Sequence, residues 1–296
     1  MTLTKDEAGQ EDTGDSYTPS RRRLERERLQ RSRGRRATAI AAVSTLVTAV
    51  VLYLVVVNAP GWPRTKETFF SGQYAREAFP KVLEGLWLNV RLLLVCGVAV
   101  LVLGMLIAIA RTLRGPVFFP LRFLAAAYTD FFRGLPLIIN LMIVVLGVPA
   151  LRLQGVTVDP VWLGGTALTL TYSAYVAEVF RAGIESVHPS QRAAARSLGL
   201  SNRQALRYVV LPQAVRRQVP PLLNDLVSLQ KDTGLVSIGG AIDAVRAADI
   251  IVGRSLNYTP YIVAGLVFVA LTIPMTRFTD WVTARMDRRR AQGGIA

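Results

Sequence analysis

HPSQRAAARSLGLSNRQALRYVVLP, residues 188–212, is a short arginine-rich stretch lying between strongly apolar runs. Pro189 opens it, and Ala193, Ala194 and Ala195 keep its centre small. Ser201 and Gln204 have the spacing of a reciprocal capping box, so a second short helix is predicted to begin there. Gly199 suits the left-handed position that ends a helix, with Leu200 placed to fold back onto Ala195. Pro212, following Leu211, reads as the close of the second helix, because the residue before a proline is disfavoured in helical conformation. The stretch therefore reads as helix, glycine break, helix: a rigid cationic element between two hydrophobic segments.

Composition points the same way. The chain has 296 residues, 51% of them hydrophobic, with a mean hydropathy of +0.35 and a formal charge of +15. The basic residues cluster beside apolar runs, the pattern of positive-inside topology and not of a nucleic-acid surface. A single histidine, His188, excludes a site needing two, and a single cysteine, Cys96, excludes an intrachain disulfide. His188, beside Pro189, reads as an exposed loop residue. No GxxxxGK[ST] phosphate loop occurs, so no nucleotide or other cofactor is expected on this chain. Asp12-Thr13-Gly14 and Asp232-Thr233-Gly234 imitate a paired aspartic-protease motif, but the first lies in a polar tail and the second follows Lys231; the protease reading is rejected.

Hydropathy and charge divide the chain into a basic tail over 1–37, read as disordered or weakly helical, an extra membrane anchor over 38–58 and an outer loop over 59–84. A transmembrane domain follows over 85–285, containing the polar loop within 184–212, and a short tail ends the chain over 286–296. The expected class is all-α and polytopic, with about six membrane helices and both termini in the cytoplasm. Arg111 and Arg114, the 181–217 arginines and the run from Arg285 all fall on that side. Gly97 and Gly104 offer places for another helix to approach closely.

Several polar residues sit where lipid would be costly, at roughly 2.5 to 3.5 kcal/mol for a charge near the bilayer centre. Asp130, Arg133 and Asn140 must face protein, water or headgroups, and Gly134 with Pro136 predicts a break in that helix. Glu178 and Arg181 lie at the inner end of the next span. Pro220 and Pro221 are read as interrupting the one after it. Lys231 and Asp232 read best as an internal ion pair that fixes packing. For Arg133, Glu178, Asn224 and Asp225, packing and a place along a polar route both remain open.

The sequence from Ser190 to Gly240 then resembles the signature loop of the inner-membrane permease subunits of ABC importers, most closely the polar amino acid uptake branch. That branch reads near P-x-G-Q-x-E-A-A-x-S-L-G-L, then L-P-Q-A, then N-x-x-I-x-L-x-K-D-T-S-L. The matches run through Pro189, Gln191, Ala194, Ala195 and Ser197–Leu200, through Leu211–Ala214, and through Asn224, Leu229, Lys231–Thr233 and Leu235. SAYVAEVFRAGIESV at 173–187 and RGLPLI at 133–138 look like the same branch, so the resemblance covers 85–285. Ser190, Ala193 and Gly234 depart from the pattern; Ala193 stands where its glutamate should be, which removes one expected polar contact.

The resemblance implies a type I ABC importer permease in a bacterial inner membrane. It implies that Gln191, Ala193, Ala194, Ala195, Ser197, Leu198, Gly199 and Leu200 form a coupling helix on an ATPase subunit, with Pro189, Ser201, Gln204 and Pro212 shaping it. ATP and Mg would be bound by that ATPase. The other implied partners are an extracytoplasmic substrate-binding protein, a second permease subunit and membrane lipid, with no nucleic acid. Two readings from other classes stand beside it. An ion-coupled secondary transporter would need inverted repeats, which are not visible, and a non-transporting anchor subunit would leave the capped loop without purpose. From the residues alone, the loop could also be an arginine-rich helix lying on anionic lipid.

Overall fold

The computed structural model describes residues 21–113 and 115–293, with side chains described for 37–113 and 115–288. Among them every regular element is helical. The chain divides into two units, 1–63 and 64–296.

The first unit holds α1 (Arg21–Val57). Its helix starts inside the basic tail read as disordered or weakly helical; arginine, leucine, glutamate and glutamine are all strong helix formers. Residues 1–20 of that tail, Asp12 included, lie outside the described residues, as does Arg114. From Ala37 to Val57 the helix is apolar enough to span a membrane, and its large side chains, such as Ile40, Leu46 and Val55, are exposed.

The second unit holds the rest. After α2 (Trp62–Phe69) comes α3 (Gly72–Thr112), which runs straight through Pro80. The segment read as an outer loop over 59–84 is therefore mostly helical. Tertiary contact explains the difference: Ala78 and Val82 are fully buried against Ala244, Ala248 and Ile251 of a later helix, α11 (Ala244–Ser255). A short 3-10 turn at Pro116–Phe118 leads into α4 (Phe119–Gly134), and α5 (Leu137–Met142) leaves it at a bend of 105°. The break falls at Gly134–Pro136, as predicted. A π turn at Ile143–Gly147 carries the chain into the one-turn α6 (Val148–Ala150).

The central helix is α7 (Pro160–Glu185), whose Asp159 side chain caps the first turn through the Val161 and Trp162 amides. It packs between α3 and α10 (Leu211–Asp232), and more than half its residues are buried. Gly104 of α3 is indispensable to that contact: a Cβ there would lie 2.7 Å from Val176 Cγ1 and 3.2 Å from the Ala177 nitrogen. Between α7 and α10 lie α8 (Pro189–Ser197), α9 (Asn202–Ala205) and a π turn at Leu206–Val210. The last helix, α12 (Thr259–Gly293), packs on α3, α10 and α11.

Two proline readings change. Pro212 does not stop a helix; it occupies the first turn of α10, where its missing N–H costs no ladder bond. Nor do Pro220 and Pro221 interrupt α10, which continues from Leu211 to Asp232 around them.

By length and composition, three described stretches are able to cross a membrane, Ala37–Val57, Trp62–Thr112 and Thr259–Arg288, and the bent α4–α5 pair makes a fourth. The other two of the six expected spans are the helices α7 and α10. Both are long enough, but neither has a run that apolar: Thr171 and Ser173 of α7 and Gln230 of α10 are polar and buried, while Arg216, Arg217, Asn224 and Lys231 of α10 are exposed.

Candidate functional site

The loop that joins α7 to α10 is fixed at every turn by local hydrogen bonds. At its start, His188 Nδ1 accepts the Ser190 amide at 3.2 Å and lies 2.7 Å from Ser190 Oγ, so the ring caps α8. His188 is exposed, as expected, but its capping role was missed; its place just before a first-turn proline was the available signal. At the other end of α8, Leu198 N donates to Ala194 O at 3.1 Å and Leu200 N to Ala195 O at 3.2 Å. Gly199 between them has φ +82°. This is the left-handed helix end read from the sequence. The capping box is also complete: Ser201 N donates to Gln204 Oε1 at 2.8 Å, and Gln204 N donates to Ser201 Oγ at 3.3 Å.

Two arginines tie this loop to the helices it leaves and enters. Arg192 Nη2 donates to Ile184 O at 2.6 Å, and Arg217 Nη1 of α10 donates to Ser186 O. Sequence reasoning counted both only as basic residues. Ala195 and Ala205 are buried, turning one side of each short helix inward. Gln191, Ala193, Ala194, Ser197 and Leu198 face out, and Leu198 is 82% exposed. The structure thus brings the sequence-predicted coupling residues onto one small, internally braced element with an apolar tip.

At the root of the loop, Glu178 gathers cations from three helices. Arg111 Nη1 of α3 donates to its Oε2 at 2.7 Å, and Arg133 Nη1 of α4 lies 3.8 Å from the same oxygen. Arg181, one turn on in α7, donates to both carboxylate oxygens through Nε and also to Glu185 Oε1 at 2.6 Å. Arg133 and Glu178 therefore belong to one cluster that clamps the ends of α3, α4 and α7 together.

The remaining polar residues lie deeper. Tyr172 Oη of α7 donates to Asp232 Oδ2 of α10 at 2.6 Å. No ion pair joins Lys231 to Asp232 or Asp225 among the described residues, which corrects the expected internal pair. Successive residues on a helix point about 100° apart, so Lys231 is exposed while Asp232 turns toward α7. Asp225 lines a cavity of about 210 Å³ with Gly97, Tyr172, Val176 and Leu226, and its Oδ2 is buried without a hydrogen-bond partner. Asn224 is exposed and does not line it. Gln230, fully buried, accepts from Thr272 Oγ1 of α12 at 2.7 Å. Asn140 faces protein, donating to Ala167 O and Thr171 Oγ1 at 2.9 and 2.7 Å, while Asp130 is exposed.

Residues 100–288 match the family described as the binding-protein-dependent transport system inner membrane component. The chain belongs to that family. The permease is accordingly a membrane-embedded transport component. It is 34% identical over 198 residues to the arginine transport system permease protein ArtQ of Bacillus subtilis strain 168, covering 67% of this chain and 88% of that relative. A solved structure titled as an amino acid ABC transporter with histidines superposes with a TM-score of 0.63 at 31% identity, over 70% of the permease and 94% of that chain. An inward-facing form of the MetNI methionine ABC transporter superposes with a TM-score of 0.55 over 69% of the permease and 95% of its own chain. At 21% identity that second likeness speaks for the fold alone. The ABC importer permease fold expected from the signature loop is the one found.

Proposed function

We propose that the permease passes a polar amino acid, or a similar small amino compound, across a bacterial inner membrane as one half of an ATP-driven importer. The observation that carries the reading is the doubly capped loop at 188–205. His188 fixes its start, Gly199 its turn and the Ser201–Gln204 box its second helix. Bracing of this kind lets the loop move as a unit and so transmit force.

In this reading both termini and the loop lie in the cytoplasm, as the basic blocks require. Gln191, Ala193, Ala194, Ala195, Ser197, Leu198, Gly199 and Leu200 meet a groove on an ATPase subunit, which binds ATP and Mg. Small side chains there permit close approach, and the exposed Leu198 supplies an apolar contact. When the ATPase closes, the loop moves as one body. Arg192 and Arg217 pass that movement to α7 and α10, giving a hinge or shear transition that opens the pathway to the other side. An extracytoplasmic binding protein delivers the substrate, and a second permease subunit completes the pathway. In this reading Asp225, at the cavity beside Tyr172, is the polar group that meets an amino acid along it. The substrate class is supported by the likeness to ArtQ and to the amino acid transporter structure.

Reconstitution of the permease with its neighbouring ATPase and binding protein tests the reading. Uptake of a radiolabelled polar amino acid that needs ATP and the binding protein is the expected result. Uptake driven by an ion gradient without ATP would overturn it.

A further inference from the structure

A second feature of the loop faces the opposite way, toward the membrane helices. Between α8, α9 and the junction of α3 with α4 lies a cavity of about 460 Å³. One wall carries Arg192, Arg196 and Arg203; the other is apolar, formed by Leu113, Phe118 and Leu206. Among the described residues no carboxylate lines it and none of the three arginines has an ion-pair partner. Arg192 Nε is buried and makes no hydrogen bond, although Nη2 of the same side chain is held by Ile184 O. A buried, unpartnered guanidinium nitrogen is costly unless an acceptor completes it, and with three arginines around the cavity an anion does so best.

We infer that this cavity binds the headgroup of an anionic phospholipid, its phosphate on Arg192 and Arg203 and its glycerol end against Phe118. Guanidinium groups match phosphate oxygens in geometry as well as charge, and basic pockets between membrane helices on the cytoplasmic side are suited to such headgroups. The apolar wall decides among anions. Phe118 is continuous with Val117, Phe119 and Leu121, all exposed on the same stretch of chain, which offers acyl chains a path out of the cavity. A free phosphate or an acidic protein side chain would have no use for that apolar edge. A lipid there wedges between the loop and the membrane helices, so its occupancy would set how firmly the loop is seated. The inference rests on the proposed placement of the loop at the cytoplasmic membrane surface.

The test is native mass spectrometry of the full-length chain released from nanodiscs of mixed phosphatidylglycerol and phosphatidylcholine. Phosphatidylglycerol should be retained selectively. Arg192→Gln and Arg203→Gln should each lower its occupancy about fivefold, in line with the contribution of one arginine near an anionic surface. Arg203 is exposed, so its variant keeps the test valid if Arg192→Gln does not fold. Arg254→Gln, on α11, should change nothing. Equal retention of the two lipids, or equal loss with Arg254→Gln, overturns the site. So does displacement by inorganic phosphate, which marks a soluble-anion site, or by the assembled ATPase, which marks a protein contact. Ser197→Cys in a Cys96→Ser background tests the placement separately. Labelling by a membrane-impermeant maleimide only in inverted vesicles is expected, and labelling from the outer side would overturn the placement, and the lipid inference with it.

Discussion

Asn89 of α3 grips the first turn of α11 with both ends of its amide: Nδ2 donates to Asp243 Oδ2 at 3.0 Å, and Oδ1 accepts the Ala244 N–H at 3.1 Å. Asp243 in turn caps α11 through the Arg246 amide at 2.8 Å. One turn before Asn89, Gly85 lets the two backbones touch; a Cβ there would lie 2.4 Å from the Asp243 carbonyl carbon. Asn89→Leu should therefore cost about 1–3 kcal/mol for each group left unsatisfied, and Gly85→Leu should prevent α11 from docking. Thermal unfolding in detergent measures both. An unchanged midpoint for Asn89→Leu would show the grip to be incidental.

The same contact predicts a pH dependence. Burial pushes the Asp243 carboxyl above its ordinary range, and the hydrogen bond from Asn89 works against that push. A carboxyl raised in the folded state favours the fold in its protonated form. That stability is present below the unfolded value and is lost as pH rises through the folded one. Removing Asn89 should raise the carboxyl further and widen the window. Unfolding midpoints measured across pH for the native chain and Asn89→Leu would show the two profiles diverging upward from the usual aspartate range.

Gly199 separates loop geometry from loop chemistry. At φ +82° an alanine costs about 1–2 kcal/mol, whereas asparagine tolerates the left-handed region. Gly199→Ala should uncouple ATP hydrolysis from uptake in the assembled importer, and Gly199→Asn should restore much of the coupling. Equal coupling in native, alanine and asparagine forms would remove the loop's shape from the mechanism.

Loss of the capping box should be felt locally. Ser201→Ala should cost about 1 kcal/mol of α9 stability. Faster amide hydrogen exchange across 201–205, with α7 and α12 unchanged, is the expected signature.

Tyr172 and Asp225 give a split between stability and transport. Tyr172→Phe removes the donor to Asp232 and should cost about 1.5–3 kcal/mol, as for other hydrogen bonds to charged groups. Asp225→Asn removes a buried carboxylate whose Oδ2 has no partner, so the unfolding midpoint should stay level or rise while amino acid uptake falls. Unaltered uptake in Asp225→Asn would take this residue off the pathway.

The loop's internal form was legible because its determinants are local. A capping box, a glycine end and the fold-back of Leu200 each involve residues within five positions of one another. The break at Gly134–Pro136 was legible for the same reason. Misread elements depended on distant partners. Pro212, Pro220 and Pro221 look like helix stops by local rule, yet α10 accommodates all three. Residues 72–84 look like a loop until Ala78 and Val82 meet α11. Lys231 and Asp232 look like an ion pair until Tyr172 supplies Asp232 with a donor from sixty residues away.

Apolar runs and basic flanks by themselves determined a helical membrane protein, and the spacing within 188–212 determined a braced helix pair, since both follow from hydration and backbone geometry over a few turns. Tertiary structure decided what those elements meet. It packed α7 between α3 and α10, gathered Arg111, Arg133 and Arg181 on Glu178, and left three arginines around a cavity with no carboxylate among the described residues. Side chains far apart in sequence acquire their charge partners only when helices pack, and no local pattern records which partner arrives.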